Sequence, residues 1–246
     1  MSITSQASQR LTVGVMGGMG PEATAHFFSE LVRRTEAAAD QDHIRVLIDN
    51  NPSIPNRHKA IRGETPSVGP ELADMAKGLE KAGADFIVMV CNTAHAFRKD
   101  IEAALTIPFV SLIDETVTAI ACDYPDARKI GIMAADGCLE ARLYQDALVA
   151  KGLEPLVWDD ADLARFMTVV FEVKAGLTGP NQQEGMIALA RALEAQGADL
   201  LISGCTEIPL VLDETKVSLP VLSSSDLLVG NTILYATGQR ALPTGP

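Results

Sequence analysis

The chain has 246 residues, 47% of them hydrophobic and 21% charged, with a net charge of −12. That composition is ordinary for a soluble globular protein, and the length permits one large domain or two small ones. The acidic balance argues against nucleic acid or an anionic membrane surface as a partner, because both call for basic patches; no apolar stretch approaches the roughly 18 residues of a membrane span.

Met1–Arg10 is polar and reads as a short leader without the apolar core of a secretion signal. Leu11–Met16 is an apolar strand that enters Gly17-Gly18-Met19-Gly20-Pro21, with a helix expected over Glu22–Ala38 and Pro21 in its first turn. Arg45–Asp49 is a second strand, and Ser53–Ser67 is expected to be a long loop. A helix over Gly69–Ala82 precedes the buried strand Phe86–Val90, and a helix over Thr93–Ala104 follows. Phe109–Leu112 reads as a strand and Asp114–Cys122 as a helix.

The rhythm then begins again. Ile130–Met133 is a strand, Leu139–Lys151 one helix, and Pro155–Trp158 a short strand. Helices are expected over Leu163–Lys174 and Gln182–Gln196, a strand over Leu200–Ser203, a strand at Val221–Leu222 and a closing helix over Leu227–Thr237. Strands alternating with helices imply βαβ units and parallel sheets.

The second half echoes the first. Gly83-Ala84-Asp85 stands eight residues before Cys91, and Gly197-Ala198-Asp199 stands eight before Cys205. Ile107-Pro108 through Asp114 matches Leu219-Pro220 through Asp226, and Val13-Gly14-Val15-Met16 matches Ile130-Gly131-Ile132-Met133. Internal duplication fixes architecture. It predicts an α/β fold of two similar pseudo-symmetric lobes, each a parallel-sheet three-layer α/β/α domain, with the active site in the cleft between them. The first lobe is expected to comprise residues 1–114 plus 221–246, and the second residues 115–220.

In parallel sheets chemistry collects at the carboxyl ends of the strands. Cys91 and Cys205 each close an apolar strand at equivalent points, before an expected helix start that would favour a thiolate. A lone buried cysteine is usually a small hydrophobe; two at duplicated strand ends are candidate acid and base. Cys122 and Cys138 have no such symmetry, and four cysteines in a chain of this size are not a disulfide framework. Reduced thiols in a cytoplasm are the expectation. His26, His43 and His58 belong to no constellation in the sequence.

Gly-Gly-Met-Gly-Pro at Gly17–Pro21, Ile-Pro-Asn-Arg at Ile54–Arg57, Cys-Asn-Thr-Ala-His at Cys91–His95 and Gly-Cys-Thr-Glu-Ile-Pro at Gly204–Pro209 stand in order along nearly the whole chain. Together they resemble the cofactor-independent aspartate/glutamate racemase family, most closely its aspartate racemase branch. The resemblance implies two-base racemisation of an amino acid with no cofactor and no metal, and a homodimer. One cysteine as thiolate removes the α-proton and the other as thiol reprotonates the opposite face, each within hydrogen-bond reach of the carbon.

Charge developing on the α-carboxylate calls for donors, for which Asn92, Thr93 and Thr206 are candidates; Asn92 and Thr93 are also natural helix caps. Gly17 and Met19 are expected to bring the first turn against the substrate. The resemblance implies that Arg57 grips a distal carboxylate, with Lys174 assisting, and that His95 and Glu207 tune the thiols. One departure stands out. Many aspartate racemases have Ala-Thr-x-Gly-Thr after the second lobe's first strand, where this chain has Ala134-Ala135-Asp136-Gly137-Cys138. Ala135 and Cys138 therefore replace two substrate-facing hydroxyls. Asp136 would repel an anion if it pointed inward, and could hold an amino group.

Aspartate or glutamate is the expected substrate, with other neutral or broad-range amino acids as the alternative on the same fold. Three further readings compete. Gly18-Met19-Gly20-Pro21-Glu22-Ala23 fits a dinucleotide-binding pattern, but the next acidic strand end comes too late. Cys91, His95, Cys205 and Glu207 could ligate zinc, yet no Cys-x-x-Cys pair is present. A non-catalytic amino-acid-binding protein would need neither thiol.

Overall fold

The computed structural model describes residues 10–243, so the expected leader lies almost entirely outside the described residues. Eight strands form two parallel four-stranded sheets. The first has the order β2-β1-β3-β4, from β1 (Val13–Gly17), β2 (Val46–Asn50), β3 (Phe86–Met89) and β4 (Phe109–Val110). The second has the order β6-β5-β7-β8, from β5 (Lys129–Met133), β6 (Glu154–Leu156), β7 (Leu200–Ser203) and β8 (Val221–Ser223). The strand order is the same in both, as the duplication predicts.

The helices are α1 (Pro21–Arg34), α2 (Arg57–Ile61), α3 (Gly69–Lys81), α4 (Arg98–Ala104), α5 (Leu112–Asp123), α6 (Asp136–Glu140), α7 (Leu143–Ala150), α8 (Asp160–Lys174), α9 (Pro180–Ala195) and α10 (Ser224–Ala236). The echo survives down to single bonds. Gly83 and Gly197 follow α3 and α9 with φ of 96° and 92°, and the bonds Ala84 N–H to Leu79 O and Ala198 N–H to Leu193 O close the same left-handed cap. Asp85 then accepts from the Thr12 N–H at 2.6 Å, and Asp199 from the Arg128 and Lys129 N–H groups at 2.8 Å. Ser111 and Ser223 cap α5 and α10 alike, each accepting from the aspartate N–H three residues on.

Three apolar cores hold the molecule. Each sheet has an outer core, one under α3 and α4, the other under α8 and α9. The third lies between the sheets and draws on both, including Val15, Phe86, Ile120, Ile130, Tyr144 and Leu228. It is built by exchange: α5 follows the first sheet but packs on α7, and α10 follows the second sheet but packs on α1. The lobes therefore share one interior.

Several expectations need correction. Val221–Ser223, assigned above to the first lobe, is part of the second sheet because it pairs in parallel register with β7. α1 stops at Arg34, four residues early, where Thr35 turns extended. The loop Ser53–Ser67 contains α2, nucleated by Asn56, whose side chain accepts from the Lys59 N–H at 3.2 Å. The single helix expected over Leu139–Lys151 is two, broken at Arg142, which sits in the left-handed region at φ 54°. The helix expected from Thr93 starts as a 3-10 turn, Thr93–Phe97, before α4.

Candidate active site

β3 and β7 are fully buried apolar strands, and the chain leaves each at a cysteine turn. Cys91 and Cys205 are 7% and 8% exposed and line one narrow cleft from opposite lobes. Neither begins an α-helix; each precedes a 3-10 turn, so the expected helix-terminus stabilisation of a thiolate is replaced by local contacts. Among the described residues, the N–H groups of Asn92, Thr93, Cys205 and Thr206 meet no backbone or side-chain acceptor, and both turns line the cleft.

The two thiols differ in their surroundings. Cys205 donates its Sγ–H to Glu207 at 3.0 Å, and Thr206 donates to the same carboxylate at 3.2 Å. Lys174 reaches the other Glu207 oxygen at 3.2 Å. Burial, reinforced by the adjacent Glu207 charge, pushes the Cys205 thiol well above its ordinary range. Burial pulls the Lys174 ammonium down, but Glu207 together with the two cysteines more than offsets this and the net direction is up. Lys174 lines the cleft, paired with Glu207.

His95 has a supporting position. It is buried, its Nδ1 lies 2.8 Å from the Cys91 carbonyl, and its Nε2 accepts from the Leu112 N–H at 3.2 Å. That pairing puts the proton on Nδ1, and burial depresses the ring to about 4, so the imidazole is neutral. His95 braces the Cys91 turn from behind and does not line the cleft.

Met19, Arg57, Asn92, Thr93, Ala135 and Thr206 line the cleft as expected. The Asn92 amide does not cap a helix; its Oδ1 accepts from Tyr144 at 2.6 Å. Arg57 donates through Nη1 to the Ile54 and Pro55 carbonyls at 3.1 and 2.9 Å, while its Nε is buried without a partner. Among the described residues no carboxylate pairs with this guanidinium.

Two expected contacts are absent from the lining. Cys138 has no exposed surface and packs in the central core, where burial raises its thiol. Gly17 is buried beside Thr24: a Cβ there would lie 2.4 Å from the Thr24 side chain. Gly18, at φ 89°, lies against the Asn51 backbone, so the glycines serve the chain's own turn.

The cleft also contains His58, Met167, Val170 and Phe171, which were not placed in a site from sequence, and Gly204 of the second cysteine motif. Met167, Val170, Phe171 and Lys174 fall at i, i+3, i+4 and i+7 of α8, one face of a helix, which is a legible signal. His58 pairs with Asp136 across the cleft mouth, and Arg62 adds bonds of 3.4 Å to Asp136 and Glu140. The His58 contact, opposed in part by burial, holds the Asp136 carboxyl below its usual range. Asp136 is therefore engaged by the other lobe. No spacing rule links residues 58 and 136.

No group of three or more His, Cys, Asp and Glu gathers as a metal site among the described residues, and no described helix is long and apolar enough to cross a membrane.

The Asp/Glu/Hydantoin racemase family model matches residues 16–232. The chain belongs to that family. The broad-specificity amino-acid racemase of Bacillus subtilis is 28% identical over 228 residues, 90% of this chain and 96% of that protein. Among solved structures, the aspartate racemase of Picrophilus torridus superposes with a TM-score of 0.80 at 27% identity, covering 95% of this chain and 96% of its own. An aspartate racemase homologue from Pyrococcus horikoshii gives 0.75 at 25% identity, covering 92% and 99%. Family membership makes amino-acid racemisation, an isomerase reaction, the activity class of the site.

Proposed function

We propose that the chain is a cofactor-independent amino-acid racemase in which Cys91 and Cys205 are the two bases. The observation that carries this reading is that thiols from opposite lobes line one cleft, with Cys205 held protonated against Glu207. The Cys91 thiolate takes the α-proton, and the C–H electron pair moves into the α-carboxylate. The N–H groups of the two turns receive that charge. Cys205 then gives its proton to the opposite face and is left as the thiolate. In the return direction the roles reverse. Glu207 disfavours a Cys205 thiolate, and Lys174, paired with Glu207 at 3.2 Å, moderates that repulsion. Pyridoxal phosphate has no part in this scheme.

Aspartate or glutamate is the proposed substrate. The support is Arg57, a cation in the cleft wall with a buried Nε and no carboxylate partner among the described residues. A second reading, a broad-range or neutral substrate, is favoured by a different observation. Met19, Ala135, Met167, Val170 and Phe171 form an apolar wall, Lys174 is engaged with Glu207, and the Bacillus subtilis relative is a broad-specificity enzyme. A panel of enantiopure amino acids, followed by loss of optical rotation, tests both. The first reading requires aspartate or glutamate to have the highest kcat/KM; a neutral amino acid in that place replaces it with the second; no turnover of any refutes both. A reducing cytoplasm and a homodimer belong to the same proposal, and light scattering on the purified chain tests the latter.

A further inference from the structure

Tyr144 is the second residue of α7 and has no exposed surface. Its two ends touch different cysteine turns. The ring lies against Gly204, the residue before Cys205: a Cβ built on Gly204 would be 2.9 Å from Tyr144 Cε2. The hydroxyl donates to Asn92 Oδ1, in the residue after Cys91, at 2.6 Å. Ser224 closes the network. Its hydroxyl donates to the Ser203 carbonyl at 2.9 Å and lies 3.4 Å from Asn92 Nδ2. A single rigid side chain thus reaches from the neighbour of one thiol to the neighbour of the other.

The local backbone is arranged to place it there. Arg142, the N-cap of α7, is the one non-glycine residue in the left-handed region among the described residues. That conformation is strained in an L-residue, because Cβ crowds the following carbonyl oxygen. It breaks the helix that would otherwise run on from α6. Burial also raises the phenol above its ordinary range, so the hydroxyl remains a donor and takes no part in proton transfer itself.

We propose that Tyr144 is a positioning residue for the proton-transfer pair, a spacer that sets the separation of the Cys91 and Cys205 turns. The proposal rests on the two-thiol reading above. Two-base transfer is sensitive to that separation, because the α-carbon must lie within reach of both sulfurs at once. A wider gap still allows one thiol to exchange the α-proton on its own face. It penalises delivery from the other side.

Tyr144→Phe keeps the ring against Gly204 and removes the bond to Asn92. In deuterated water, kcat for racemisation should fall about tenfold to a hundredfold, the range expected of misplaced reacting groups, with KM within about twofold. The fraction of α-deuterium incorporated with retained configuration should rise relative to inversion. Asn92→Leu removes the acceptor from the other end and should raise the same fraction, so the test survives if Tyr144→Phe does not fold. The double variant should add little to either single change. Unchanged kcat and an unchanged exchange-to-inversion ratio in a folded variant overturn the proposal, as does a loss of kcat that only follows thermal instability. An unsubstituted chain that racemises no amino acid refutes the functional reading itself, before any variant is made, and the spacer role falls with it.

Discussion

Cys205 donates its Sγ–H to the Glu207 carboxylate at 3.0 Å, whereas the position equivalent to Glu207 in the first lobe, two residues after Cys91, holds Thr93. The duplicated lobes thus present chemically unequal thiols on a nearly symmetric frame. Cys205 is buried, protonated and next to an acceptor; Cys91 has Asn92 and Thr93 beside it and a neutral imidazole behind its carbonyl.

Replacing Glu207 with Gln removes the carboxylate charge beside Cys205 and leaves Lys174 without its counter-ion. General acid–base assistance contributes about 10²–10⁴-fold, and partial loss of it should lower kcat/KM about tenfold to a hundredfold. The two enantiomers are equal in free energy, so the fall must be by the same factor in both directions. Steady-state rates from each enantiomer check this; values within twofold of the unsubstituted enzyme would remove Glu207 from the mechanism.

His95 predicts an acid limb in stability. Burial lowers its pKa from 6.5 to about 4, so the unfolded chain takes up this proton before the folded one does. The contribution is fully present above pH 6.5 and is lost as pH falls from there towards 4; integrated, it amounts to about 3 kcal/mol. Urea titrations across that window should show the loss, and a folded His95→Asn variant should show a correspondingly flatter profile. The same slope in both would place the acid sensitivity elsewhere.

Gly14 and Gly131 are the duplicated glycines of β1 and β5. A Cβ on Gly14 would stand 2.5 Å from Ile87 Cδ1 and 2.9 Å from Ala84 Cβ; on Gly131, 2.6 Å from Leu201 Cδ2 and 3.3 Å from Ala198 Cβ. The leucine and isoleucine ends can swing aside, but Ala84 is fixed to its backbone. Gly14→Ala and Gly131→Ala should each destabilise by about 1–3 kcal/mol, with Gly14→Ala the worse. Denaturant midpoints of the two variants decide the order.

Arg57→Ala should lower kcat/KM for aspartate and glutamate about tenfold to a hundredfold, the scale of a lost hydrogen bond to a charged group. Neutral amino acids should lose less. Equal losses for both classes would mean that Arg57 holds the α-carboxylate common to all of them.

The two similar parallel-sheet lobes and the pair of strand-end cysteines were legible because the same local code occurs twice. Gly83-Ala84-Asp85 and Gly197-Ala198-Asp199 end a helix, turn the chain and tie it to the neighbouring strand by bonds that depend on residue type alone. What could not be read depends on contacts across the lobes. Nothing local places His58 against Asp136, or Tyr144 against both Asn92 and Gly204. Cys138 was misplaced for a related reason: the turn of α6 directed its thiol into the core, and no local pattern announced that Glu207 would pair with Lys174. The Asn56 cap of α2 and the i, i+3, i+4, i+7 face of α8 were present in the sequence as patterns, but their direction relative to the cleft was not.

The most direct test of the two-thiol scheme is α-proton exchange in deuterated water by Cys91→Ser and Cys205→Ser, each offered both enantiomers. The scheme predicts that neither variant racemises, and that any residual exchange is confined to one enantiomer, opposite in the two variants. Racemisation by either variant at near the unsubstituted rate, or exchange of the same enantiomer by both, would contradict it.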